Sequence, residues 1–194
     1  MSLEKIRNEI LKNLHDDLSK NAKNLVFGKG NEKADIFFIG EAPGAKEDEL
    51  GIPFVGSSGK ELDKLLNKIN LGIEDVYIAN ILKYRPPNNR NPKVFEIKLH
   101  TPYLLKQIKT VNPKIICTLG NFATKFILSG FDAKGMNKID GISNLHGKIK
   151  SINLEGKEYF VLPIYHPAAM LYNGSLRNVM EQDFFILKDF LSRL

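Results

Sequence analysis

The hydrophobic positions along the chain alternate between two kinds of pattern. Residues 3–19 carry Leu3, Ile6, Ile10, Leu14 and Leu18 three or four apart, which predicts one amphipathic helix across that stretch. After Phe27-Gly28-Lys29-Gly30, the run Asp35-Ile36-Phe37-Phe38-Ile39 is apolar without interruption and stops at Gly40, as a strand buried on both faces would. Three further runs read the same way: Val76-Tyr77-Ile78-Ala79, residues 114–119, and Tyr159-Phe160-Val161-Leu162. Helical spacing returns between them at 58–69, 93–110 and 121–128, and a closing helix is predicted over 176–193. Residues 147–152 and 158–162 predict a hairpin around Glu155-Gly156-Lys157.

Strands alternating with helices predict an α/β fold. The expected form is a three-layer α/β/α sandwich with a central, mainly parallel four-stranded sheet, built as one domain over residues 1–194. Ligands of such sheets sit beyond the carboxyl ends of the strands. Glu41 to Gly44 follow the first predicted strand, Asn80 ends the second, Gly120 and Asn121 follow the third, and His166 follows the fourth. Four separate segments are therefore expected on one rim.

Composition narrows the chemistry. Of 194 residues, 43% are hydrophobic and 26% charged, and no apolar run approaches the ~18 residues a membrane span needs, so no membrane partner is expected. The first residues show no basic region followed by an apolar stretch, and a cytoplasmic setting is expected. Lys and Arg outnumber Asp and Glu by 28 to 22, a net +6 that suits a polyanionic partner. Cys117 is the only cysteine, which excludes an internal disulfide and any site that takes several thiolates from one chain.

The rim residues each have a functional and a plain structural reading. Gly40-Glu41-Ala42-Pro43-Gly44 can bring backbone N–H groups close to a ligand, or can be a bare strand-to-loop turn. Phe54, between turn formers in Gly51-Ile52-Pro53-Phe54-Val55-Gly56, is either a core plug or a platform on which a base stacks. Lys83, Arg85 and Arg90 lie on a proline-stiffened segment and either meet phosphates or form a solvated basic loop. His166 precedes Pro167, which disfavours helical geometry at the histidine and fixes it at the rim; a lone histidine is still often structural. A Gly-Lys-Ser/Thr phosphate loop and a GxGxxG fingerprint are both missing, which argues against an unrelated nucleotide-binding enzyme.

Taken in order, Gly40-Glu41-Ala42-Pro43-Gly44 with Glu47-Asp48, Pro53-Phe54-Val55-Gly56, Tyr77-Ile78-Ala79-Asn80 running into Lys83 and Arg85-Pro86-Pro87-Asn88-Asn89-Arg90, Leu119-Gly120, and His166-Pro167 resemble the motifs of family 4 uracil-DNA glycosylases. The resemblance covers about residues 25–192. It implies a monomer that flips uracil out of DNA and hydrolyses its N-glycosidic bond, leaving an abasic site without cutting the strand. On that reading Ala42, Gly44, Glu47, Phe54, Asn80 and His166 bind the base, with Glu47 on the side of the uracil C5. The catalytic residues are His166, Asn80 and Glu41. Lys83, Arg85, Arg90, Gly120, Asn121, Leu171 and Arg177 are the expected DNA contacts, and Tyr172 stands where the family has an arginine. A DNA-binding module of the same fold with little or no catalysis is the competing expectation.

The family normally carries a [4Fe–4S] cluster on four cysteines. Here the corresponding positions fall near Asn13 and Asp16, at Tyr84, and at His100, so no cofactor or metal is expected. Packing of Tyr84 and His100 is the expected substitute that holds the 84–100 segment.

Overall fold

In the computed structural model, which describes residues 1–193, the N-terminal apolar stripe forms two helices rather than one: α1 (Leu3–Asn13) and α2 (Asp17–Asn21). Asp16 makes the break. Its carboxylate accepts from the Ser19 N–H at 2.8 Å and caps α2, an alternative partner that competes with continuing the helix. Leu14 and Leu18 remain buried on either side, so the hydrophobic spacing reads straight through the interruption.

The remaining elements follow as β1 (Lys29–Gly30), β2 (Ile36–Gly40), α3 (Ala45–Leu50), α4 (Ser57–Lys68), β3 (Val76–Asn80), α5 (Val94–Val111), β4 (Ile115–Leu119), α6 (Asn121–Leu128), α7 (Ile142–Leu145), β5 (Lys150–Leu154), β6 (Lys157–Ile164), α8 (Ala169–Tyr172) and α9 (Leu176–Leu191). They build a six-stranded sheet in the order β1-β3-β2-β4-β6-β5. The four strands expected from sequence are its parallel centre, and the expected count of four is corrected by an antiparallel strand at each edge. β1 has two residues, too few to carry any periodicity. β5 is the first arm of the expected hairpin, and its mostly exposed residues mark an edge strand.

Alternate residues of the central strands enter two separate cores, one on each face. Phe37, Ile39, Tyr77, Ala79, Ile116 and Val161 pack with Ile6, Ile10, Leu18, Ile108 and Phe126 from α1, α2, α5 and α6. Ile36, Phe38, Ile78, Cys117 and Leu162 pack with Leu62, Leu65 and Leu66 of α4 and Met180, Phe184 and Leu187 of α9. Double-sided burial is why these strands read as unbroken apolar runs. No described helix is long and apolar enough to cross a membrane.

β2 has β3 on one side and β4 on the other, so the chain leaves β2 in one direction and returns past it to reach β4. The strand order thus reverses beside β2, and a crevice opens at the carboxyl ends of the strands.

Candidate active site

A cavity of about 150 Å³ lies at this crevice, lined by Ala42, Gly44, Glu47, Phe54, Ser58, Asn80 and His166. Its floor is set by the parallel register, which places Gly40 beside Asn80 at the ends of β2 and β3. No other residue fits at 40: a Cβ there would lie 2.4 Å from Asn80 Oδ1 and 2.8 Å from the Phe54 ring. Asn80 is 2% exposed, and its Oδ1 is, among the described residues, the one buried side-chain polar atom without a hydrogen-bond partner. Leaving a buried acceptor unmade costs about 1–3 kcal/mol, so this atom needs a specific explanation.

Phe54 forms one wall. Its φ of 50° is left-handed, a strained conformation for an aromatic residue. Two contacts hold it there. Lys29 Nζ donates to the Phe54 carbonyl at 3.0 Å, and Glu47 Oε1 accepts from the N–H groups of Val55 and Gly56 at 3.0 and 2.9 Å. Gly59 completes the seat, because a Cβ there would lie 1.9 Å from the Phe54 carbonyl oxygen. Phe54 is buried as a core plug would be, and it also lines the cavity.

His166 lines the cavity next to Phe54, its ring centroid 5.9 Å from that of Phe54. Its Nδ1 accepts from the Ala168 N–H at 3.2 Å, which puts the proton of the neutral ring on Nε2. Burial pushes the His166 pKa below its ordinary value, against an upward pull from the Glu47 carboxylate, so the neutral ring prevails at pH 7. Gly120, at φ 90°, lies directly behind it, since a Cβ there would come within 3.0 Å of His166 Cβ. Gly120 thus seats the histidine.

Glu41 does not line the cavity. It is half-buried beside it, and burial raises its carboxyl pKa. Ser58 does line the cavity and was not expected from sequence. Its only signal is the hydroxyl pair in Gly56-Ser57-Ser58-Gly59, at the start of α4 and ahead of its first large core side chain, Leu62.

The expected DNA contacts fare unevenly. Lys83 is corrected: it is fully buried, and its Nζ donates to the Asn80 carbonyl at 2.6 Å and to Gln107 Oε1 at 2.5 Å, so it cannot reach a phosphate. Burial draws its pKa down to about 7. Arg90 grips Glu96 through both terminal nitrogens, and Glu96 in turn caps α5 through the Lys93 N–H. Arg177 donates to Glu61 at 2.8 Å, and Arg85 Nε donates to Asn89 at 2.8 Å. Asn121 Oδ1 accepts from the Ile142 N–H, which ties the start of α7 to α6. Leu171 and Tyr172 stand out from α8, 47% and 90% exposed.

The positions that correspond to cluster cysteines do not fit a thiolate-held cluster. Asp16, Tyr84 and His100 do gather, but as a buried polar and aromatic group. His100 Nε2 lies 2.9 Å from Asp16 Oδ2, and the Tyr84 ring meets the His100 ring edge-on at 6.2 Å. Cys117 is remote from them in β4, fully buried, with its thiol pKa raised by that burial. Among the described residues no group of three or more His, Cys, Asp or Glu side chains is placed to hold a metal ion.

Residues 27–187 match the family model for the uracil DNA glycosylase superfamily. The chain is also similar to a type-4 uracil-DNA glycosylase of Saccharolobus solfataricus, 47% identical over 98% of this chain and 87% of that protein. Another, from Archaeoglobus fulgidus, is 46% identical over 94% of this chain and 90% of the relative. A third, from Thermotoga maritima, is 39% identical over 91% and 88%. With a family match across most of its length and relatives this near, the chain belongs to the uracil-DNA glycosylase superfamily.

Proposed function

We propose that this chain excises uracil from DNA, acting as a single-domain monomer that needs no cofactor and leaves an abasic site in an uncut strand. The observation that carries the reading is the orphaned Asn80 Oδ1 in a cavity with space for one small ring. A uracil rotated out of the duplex meets it with N3–H, while the amide nitrogen donates to O4. Cytosine presents the reverse pattern of donor and acceptor, so the same amide rejects it. Phe54 stacks on the base, and Glu47 stands against the C5 edge, where thymine carries its methyl group.

Cleavage of the glycosidic bond leaves charge on uracil and an oxocarbenium-like sugar. His166 Nε2–H donates to uracil O2 as that charge develops, assisted by the backbone N–H groups of Ala42 and Gly44. Glu41, adjacent but outside the base cavity, supports the cationic sugar and orients the water. No lysine lines the cavity, which supports hydrolysis without a Schiff base and hence without strand cleavage by the protein itself.

A labelled oligonucleotide with one uracil tests the reading. Strand scission is expected only after alkali, and none with cytosine or thymine in the same position. Binding without alkali-sensitive sites would instead establish a DNA-binding module.

Acid should slow the reaction. Burial lowers the His166 pKa and raises that of Glu41, so as pH falls the Glu41 carboxylate is lost above its ordinary range while the ring gains a second proton only below its own. Protonation of Nδ1 also opposes the Ala168 N–H. Single-turnover rates are therefore expected to be level near neutrality and to fall in acid as the Glu41 carboxylate is protonated. A rate that rises in acid would contradict the role given to Glu41.

A further inference from the structure

The segment that leaves β3 is buried without regular structure. Ile81, Leu82, Lys83 and Tyr84 are all buried, and no strand or α-helix covers them until α5. Its backbone is tied directly to the catalytic loop: the Ile81 N–H donates to the Gly40 carbonyl at 2.9 Å, and the Leu82 N–H to the Glu41 carbonyl at 3.1 Å. Lys83 is the next link. Its carbonyl accepts from the Val26 N–H at 2.9 Å, and its own N–H donates to His100 Nδ1 at 2.8 Å.

That last bond gives the network a direction. A backbone N–H only donates, so His100 Nδ1 accepts and the neutral ring carries its proton on Nε2, facing Asp16 Oδ2 at 2.9 Å. Asp16 Oδ1 already accepts from the Ser19 N–H. Both carboxylate oxygens are thus acceptors, and an amide at position 16 would turn an NH₂ against one of two donors. From the other end of Lys83, Nζ binds the Asn80 carbonyl and Gln107 Oε1, while Gln107 Nε2 donates to the Phe27 carbonyl at 2.9 Å. A continuous buried chain therefore runs from Asp16 through His100 and Lys83 to the residue that reads the base.

We propose that Asp16, His100 and Lys83 form a metal-free brace that positions Asn80, placed where the family resemblance implies a cluster. None of the three touches substrate; they are positioning residues, and the inference rests on the reading of the cavity as a uracil pocket.

The test uses Asp16→Asn, nearly isosteric, and Lys83→Met, which keeps the apolar stem but removes Nζ. Both are assayed in a single turnover on uracil-containing DNA, well below each variant's unfolding temperature. Excision is expected to fall about ten- to a hundredfold in each, with DNA affinity unchanged. Each substitution is then combined with Asn80→Ala. A brace that acts through Asn80 costs less than about twofold more in that background, because the group it positions is already gone. Equal losses in both backgrounds would overturn the proposal, as would variants as fast as the wild type. Iron and labile sulfide in the purified wild type should be near zero; about four iron atoms per chain would also overturn it. A wild type unable to excise uracil would overturn the excision reading and the brace together, whereas active wild type with active variants sinks the brace alone.

Discussion

Replacing His166 with alanine is expected to slow uracil release by about 10²–10³-fold in a single turnover, while DNA affinity stays nearly constant. The expectation follows from where the histidine sits. Its proton is on Nε2 because Nδ1 is occupied by the Ala168 N–H, and burial keeps the ring neutral. A neutral donor gains little from the ground-state carbonyl and most from the anion that forms as the bond breaks, so its loss is felt in the rate. DNA affinity depends chiefly on phosphate contacts outside the cavity, which the substitution leaves in place. His166→Gln sharpens the comparison, since an amide can still donate, and it should recover part of the loss. Equal single-turnover rates for His166→Ala and wild type would remove the histidine from the mechanism.

How far the sequence carries depends on whether a residue's role is local or made by distant partners. The central strands were legible because both faces are buried and the apolar runs are unbroken. Part of the cavity was legible too, because Ala42, Gly44, Asn80 and His166 lie at or just after strand ends in a fold whose ligand rim follows from topology, whereas Ser58, on α4, carried no such signal. Lys83 was misread. In a segment dense with prolines and cations a lysine looks solvated, and only tertiary partners such as Gln107, 24 positions away, bury it. The Asp16–His100 pair spans 84 positions and leaves no periodic trace, so sequence could suggest only that His100 packs with Tyr84. The break between α1 and α2 was hidden for a related reason: Leu14 and Leu18 keep the helical spacing while Asp16 ends one helix and caps the next. α3 was missed because Ala45-Lys46-Glu47-Asp48-Glu49-Leu50 has no apolar repeat.

Asn80→Leu is expected to move stability and activity in opposite directions. Asn80 Oδ1 is buried without a partner, and such an atom costs about 1–3 kcal/mol in the unliganded protein. Leucine has nearly the same shape and no polar atom, so it relieves that cost and leaves no new void. For a chain of this length the unfolding midpoint should rise by about 2–12 °C. Lys83 Nζ binds the backbone carbonyl at position 80, and that contact survives the change. Excision should nevertheless fall on the order of 10³-fold, because N3–H and O4 of uracil would face methyl groups and each lost partner costs about 1–3 kcal/mol. Calorimetry paired with single-turnover assays on one preparation measures both signs. A less stable variant would mean that the orphaned oxygen is satisfied in solution, and a fully active one would mean that Asn80 does not read the base. The expected pairing, a gain in stability with a loss of function, is what a pocket gives when its polar group is held ready for a ligand at the expense of the empty protein.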